Sequence, residues 1–147
     1  MIVYQPTRDL SASAQITYNN MRTYYEYYAV DWALPTIVEQ ITGLDNWDIL
    51  SDGDVIGAIR FAWDNDECYL RDLQVSSQYQ KQGIGAQAVA ESVRLAREYG
   101  VKQLRLRVFK ISPAYHLYTR CGFTIASEDE RFFNMVKNIT DLTANSL

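Results

Sequence analysis

Leu73-Gln74-Val75-Ser76-Ser77-Gln78-Tyr79-Gln80-Lys81-Gln82-Gly83-Ile84-Gly85-Ala86, residues 73–86, is the stretch from which the rest of the chain can be read. It begins as an apolar Leu-x-Val of strand character, passes through a polar loop and enters a helix whose first turn holds two glycines. A strand that opens this way presents backbone N–H groups with no partner inside the helix, at the end where the macrodipole adds about half a positive charge. Without Cβ atoms, the glycines let an oxyanion approach that backbone closely, so the stretch has the make-up of an anion cradle. A glycine-rich turn that binds nothing is the competing reading of these residues taken alone.

Working outward, Ile84, Ala88, Val89, Val93 and Ala96 recur at helical spacing, which predicts a helix over Gly83 to Tyr99 with Gly100 ending it. On the other side the period is two. WDILS, a turn at Asp52-Gly53-Asp54, VIGAIRFAW, a turn at Asp64-Asn65-Asp66 and CYLRDLQV predict an antiparallel meander. Before it stand a strand at IVYQ, a helix to about Tyr28 capped by Thr7 or Asp9, and a short helix from Leu34 to Thr42 with Pro35 in its first turn. Tyr18, Met21, Tyr25 and Tyr28 form one stripe of the long helix, suited to core packing or to a pocket wall. After Gly100 come a buried strand at LRLRV (104–108), a helix from Pro113 to about Arg120 and strands near Thr124–Ser127 and Phe132–Lys137, with a frayed polar end from Asn138 onward. The class is α/β (α+β), with six to seven strands and about four helices.

With 147 residues, 48% hydrophobic and 22% charged, the chain suits a single domain over 1–147 that buries its own core, which excludes a disordered or fibrous protein. No apolar run reaches the ~20 residues of a bilayer span, and MIVYQPTRDL lacks the features of a signal peptide, so a cytoplasmic protein with no membrane partner is expected. The balance of 14 basic and 18 acidic residues, a net charge of −4, disfavours nucleic acid. Cys68 and Cys121 fit no metal spacing and are expected to be buried thiols, and no metal site is expected.

Gly83-x-Gly85-x-x-Ala88 also fits the dinucleotide fingerprint, but eight positions separate Val75 from Gly83, and where an acidic ribose ligand is needed stand Arg105, Leu106, Arg107 and Val108. A Walker loop fails because no Gly-Lys-Ser/Thr follows. The pattern Gln80-x-x-Gly83-x-Gly85 after Leu-x-Val instead resembles the acetyl-CoA loop of the GNAT-type N-acetyltransferase superfamily. A second segment, Val108 through Ser112-Pro113-Ala114, Leu117-Tyr118 and Gly122-Phe123, is similar to that family's second motif, with Ser112 at the usual Asn. The two in order, one helix and one strand apart, make a specific signal.

The resemblance implies a mixed, largely antiparallel central sheet, with the fourth strand splayed from the fifth to admit a pantetheine arm. It implies acetyl-CoA as co-substrate. Leu73, Gln74 and Val75 would hold the arm, and Gln80, Lys81, Gln82, Gly83, Ile84, Gly85 and Ala86 the pyrophosphate. Ser112, Ala114, Tyr115 and Tyr118 would complete the cofactor site, with Tyr118 as general acid toward the leaving thiolate.

The acceptor implied is a primary amine, either a small cationic amine or a peptide or protein amino group. An amine of pKa about 10.4 is neutral in about one molecule per thousand at pH 7.4, a handicap of roughly 4 kcal/mol, so a proton acceptor is wanted. Asp72 is the candidate, with an ion pair to Arg71 or Arg105 as the competing reading; Glu67 and His116 stand behind it. Glu26, Asp31, Asp45, Asp48 and Asp72 are expected to favour a cation near the acceptor. A catalytically silent acyl-CoA-binding or sensing domain is the alternative function, and a homodimer is left open.

Overall fold

The computed structural model describes residues 1–139. The frayed end expected from Asn138 onward lies, past Ile139, outside the described residues. Asn138 itself closes the last strand, and Ile139 is buried with its N–H donating to the Lys102 carbonyl at 3.0 Å.

Strand β1 (Ile2–Pro6) leads to helix α1 (Leu10–Tyr27), where Asp9 wins the capping position over Thr7 because its Oδ1 accepts the Ala12 N–H at 3.1 Å. Such a cap is worth about 1 kcal/mol. Helix α2 (Leu34–Ile41) follows with Pro35 in its first turn, and then β2 (Asp45–Ser51), β3 (Asp54–Trp63) and β4 (Glu67–Val75) form the meander. The β2–β3 turn has Asp52 and Gly53 both at positive φ, 51° and 90°, as a two-residue type I′ hairpin requires. After a 3₁₀ turn at Ser77–Tyr79 come α3 (Ile84–Glu98), β5 (Gln103–Phe109), α4 (Ala114–Arg120), β6 (Thr124–Glu128) and β7 (Phe132–Asn138). The seven strands make one sheet in the order β1-β2-β3-β4-β5-β7-β6.

The chain divides into two compact units, one of residues 1–60 and 72–85, the other of residues 61–71 and those from Ala86 onward. In the first, β1 runs antiparallel to β2 from Ile2↔Ser51 to Pro6↔Trp47. Ala14, Tyr25, Ile37 and Ile41 pack together with Tyr18 and Met21 against them, so the aromatic stripe of α1 is chiefly core. In the second, β4 runs parallel to β5 from Glu67↔Gln103 to Leu70↔Leu106, and β5 runs antiparallel to β7. Ala88, Val89, Val93 and Ala96 of α3 are buried, as their spacing predicts. Cys68 is buried but Cys121 only half so, because it sits at the C-terminal cap of α4 rather than within a strand.

Candidate active site

Period two places Cys68, Leu70, Asp72 and Gln74 on one face of β4, and that face turns from apolar to polar at Asp72. Beyond Val75 the Ser76 N–H donates to the Ile56 carbonyl at 2.7 Å, the Tyr79 N–H to Ser76 at 2.8 Å, and Lys81 enters the left-handed region at φ 64°. Gly83 follows at φ 81°, and an added Cβ there would meet nothing within 4 Å. Helix α3 then starts at Ile84 with no acidic residue in its first turn, so nothing offsets the positive end of its dipole. The N–H groups of Ile84, Gly85 and Ala86 are among those an α-helix leaves without internal partners. An open face at Gly83, an exposed Lys81 and this helix start fit a pyrophosphate.

Gln80, placed by sequence at the mouth of the cradle, turns its side chain back: Nε2 donates to the Val75 carbonyl at 2.9 Å. It therefore closes the loop onto β4, while Gln82 Nε2 reaches the Gln78 carbonyl at 3.3 Å.

The partner of Asp72 is neither Arg71 nor Arg105. It is Arg60 of β3, whose side chain is 0% exposed and whose Nη1 donates to Asp72 Oδ2 at 2.5 Å. The same guanidinium donates to Thr17 Oγ1 at 2.7 Å, to the Ser13 carbonyl at 3.0 Å, to Ser13 Oγ at 2.7 Å and to Asn46 Oδ1 at 3.0 Å. Thr17 Oγ1 and Gln74 Nε2 also donate to Asp72, at 3.3 Å on Oδ2 and 2.6 Å on Oδ1. Both carboxylate oxygens thus have donors, which answers the desolvation that a buried charge otherwise suffers. Nearby, burial and then the charge of Asp72 push the Tyr25 phenol well above its usual range, with Arg60 partly opposing them.

Of the acidic residues expected to draw a cation, Asp72 is therefore neutralised. Asp48 is buried, its Oδ2 accepting the Arg8 N–H at 3.4 Å. Glu26 is exposed and lies 4.0 Å from Arg22 one turn earlier. The acidic wall read from the sequence is reduced by these pairings.

In the second unit Ser112, Ala114, Tyr115 and Tyr118 stand on and before one short helix. Ser112 Oγ accepts the Ala114 N–H at 3.1 Å, so the serine at the usual Asn position caps α4. Tyr115 packs on Phe133 with ring centroids 4.8 Å apart, and Tyr118 is buried edge-on to Phe123 at 5.8 Å. His116 is exposed, with Tyr115 against its ring. Glu67 is paired with Arg105 across the parallel strands. Among the described residues no group of three or more His, Cys, Asp or Glu could hold a metal ion, and no helix is long and apolar enough to cross a membrane.

Sequence reasoning passed over Arg60, Thr17, Ser13 and Asn20. The available signal was the single charge in the apolar run VIGAIRFAW, since a guanidinium in a strand buried on both faces must find several acceptors.

A family model described as the acetyltransferase (GNAT) family matches residues 11–123. No curated protein matches the chain. Among solved structures, the PaiA N-acetyltransferase of Thermoplasma acidophilum in complex with coenzyme A is similar at a TM-score of 0.72 and 20% identity, over 94% of this chain and 99% of that one. A GNAT family acetyltransferase of Elizabethkingia anophelis with acetyl-CoA bound is similar at 0.71 and 18%, over 93% and 97%. The ribosomal-protein-S18-alanine N-acetyltransferase of Escherichia coli is similar at 0.75 and 21%, over 95% of each chain. At these identities the three share the fold.

Proposed function

The chain belongs to the acetyltransferase (GNAT) family, and from that premise we propose that it moves the acetyl group of acetyl-CoA to a primary amine. The observation that carries the reading is the strand-loop-helix cradle, with Gly83 left-handed and open exactly where an anion needs the backbone. In this reading the N–H groups of Gln82 to Ala86 bind the pyrophosphate, Lys81 adds charge at the rim, and the backbone from Leu73 to Val75 holds the pantetheine arm. Acetyl-CoA supplies an acyl group activated as a thioester. Backbone N–H groups of β4 donate to the thioester oxygen as negative charge gathers there.

A phenol holds its proton at neutral pH, and Tyr118 gives its own to the leaving thiolate. Ser112, Ala114 and Tyr115 shape the start of its helix. The proton of the amine was assigned to Asp72 from sequence, but both of its oxygens already accept hydrogen bonds, Oδ2 from the Arg60 guanidinium at 2.5 Å and Oδ1 from Gln74 Nε2 at 2.6 Å, so the carboxylate is taken up by the α1–β3–β4 network. We therefore assign that proton to water and give Asp72 the work of holding α1 and β4 together.

The test is acetyl-CoA consumption against a panel of polyamines, aminoglycosides, amino acids and peptide N-termini, with Tyr118→Phe beside the parent. Turnover of an amine by the parent and a loss of about 10²–10⁴-fold in a folded Tyr118→Phe that still binds CoA are expected. Parent-rate turnover by the variant would leave Tyr118 as a packing residue. Binding of acetyl-CoA with no amine consumed would identify a silent acyl-CoA-binding domain instead.

A further inference from the structure

We propose that the amine acceptor also carries a carboxylate, and that Arg71 and Arg107 of the second unit receive it; this rests on the functional reading above. The parallel pairing of β4 with β5 ends at Leu70↔Leu106. Arg71 and Arg107 are the next residue on each strand, so an arginine stands on either side of the point where pairing stops. In the functional reading the pyrophosphate lies past Val75, and the arm runs back from it along β4 toward Leu73. Its acyl end is therefore delivered toward the Arg71 end of that run.

Sheet register assigns the face these side chains occupy. Tyr69 pairs with Arg105, Arg105 with Val136 and Arg107 with Asn134, and paired residues share a face. The opposite face is core, where Cys68, Leu70, Leu104, Leu106 and Met135 are each 3% exposed or less. Arg71 and Arg107 alternate away from it, and both are exposed.

Arg107 is held ready for a planar anion. Its guanidinium lies over the Phe132 ring, 4.1 Å from the centroid, and Phe132 stacks in turn on the buried Phe109 at 4.4 Å. A guanidinium resting its face on a ring keeps its N–H edge free, and the two oxygens of a carboxylate match that fork. Among the described residues neither Arg71 nor Arg107 has an ion pair or a side-chain hydrogen bond. The acidic groups near them are largely taken. Glu67 holds Arg105, Glu128 Oε1 accepts from Lys110 Nζ at 2.7 Å, and Asp129 Oδ1 accepts the Arg131 and Phe132 N–H groups, while Glu130 of the same turn is exposed. Two uncommitted guanidiniums on one face suit an anion and oppose a second cation, so an amino acid or a peptide fits this face and a polyamine does not.

The experiment is steady-state kinetics with acetyl-CoA and a series of α- and ω-amino acids, each beside its carboxamide and the diamine of equal length. The parent should favour at least one acid over its amide by about tenfold or more in kcat/KM, chiefly through KM, as a charge-assisted pair provides. In Arg107→Gln that preference should fall to within about twofold. Arg71→Gln, whose side chain has no partner to lose, should move it in the same direction and decides the matter if Arg107→Gln does not fold. Arg94→Gln removes an equal charge from the surface of α3 and should keep the preference. A parent that turns over amides or diamines as well as acids overturns this inference alone, as does a preference that survives in both folded variants or is lost equally in Arg94→Gln. A calorimetric loss of CoA affinity in Arg107→Gln as large as its loss of preference also overturns it, because the arginine then serves the cofactor's phosphates. A parent that consumes acetyl-CoA with none of these amines overturns the functional reading and this inference with it.

Discussion

Strand β4 carries two carboxylates five residues apart, each paired with an arginine, and the two pairs differ in nearly everything except their chemistry. Asp72 and Arg60 are 20% and 0% exposed, and the guanidinium also serves Ser13, Thr17 and Asn46. Glu67 and Arg105 are 38% and 33% exposed, with Gln103 as a further acceptor at 3.3 Å. Burial sets the worth of such a pair. In water the partners lose little on separation, whereas a buried guanidinium left without its acceptors retains its full desolvation penalty.

Arg60→Met should therefore give the largest effect, a loss of about 3–5 kcal/mol in urea unfolding, with part of it recovered in Arg60→Met/Asp72→Asn because the stranded carboxylate is gone. A loss below about 1 kcal/mol would break the comparison by making the buried pair no better than an exposed one. Glu67→Gln should cost under about 1 kcal/mol, and less again at high salt. A third carboxylate sharpens the contrast. Asp129 Oδ1 accepts the N–H groups of Arg131 and Phe132, each at 2.8 Å, and these bonds hold its carboxyl below the ordinary value of 3.8. A depressed pKa stabilises the fold above the unfolded value and the contribution fades as pH falls through the folded one. Asp129→Asn should differ from the parent at neutral pH and converge with it in acid; a difference that persists unchanged at low pH would show that the turn gains nothing from the charge.

What could be read from the residues was local. Gly83, Gly85 and the stripe from Ile84 to Ala96 lie within one turn or one period of each other, so the start of α3 after the glycine loop and its end were legible to within a residue. Arg60 was not, because its partners stand 12, 14, 43 and 47 residues away and no spacing joins them. The same distance effect misdirected Asp72 toward its neighbour in sequence and toward β5. Asp48 looked available as an acidic surface group, yet the β1–β2 register turns it inward. Ser112 was read only as part of the cofactor site, and the bond by which its short side chain accepts the Ala114 N–H two residues on was not foreseen. Periodicity reports which face a residue occupies, and the polar network behind that face depends on tertiary pairing.

The central claim is that the glycine loop after β4 binds the pyrophosphate of CoA, and calorimetric titration of CoA into the parent and into Gly83→Val tests it most directly. Valine adds bulk in the open space above the loop and must adopt a φ of 81°, which L-residues with a branched Cβ strongly resist. The account predicts a parent that binds and a folded variant whose affinity is lower by about tenfold or more, the equivalent of roughly 1.4 kcal/mol. Equal affinity in the two folded proteins would contradict it.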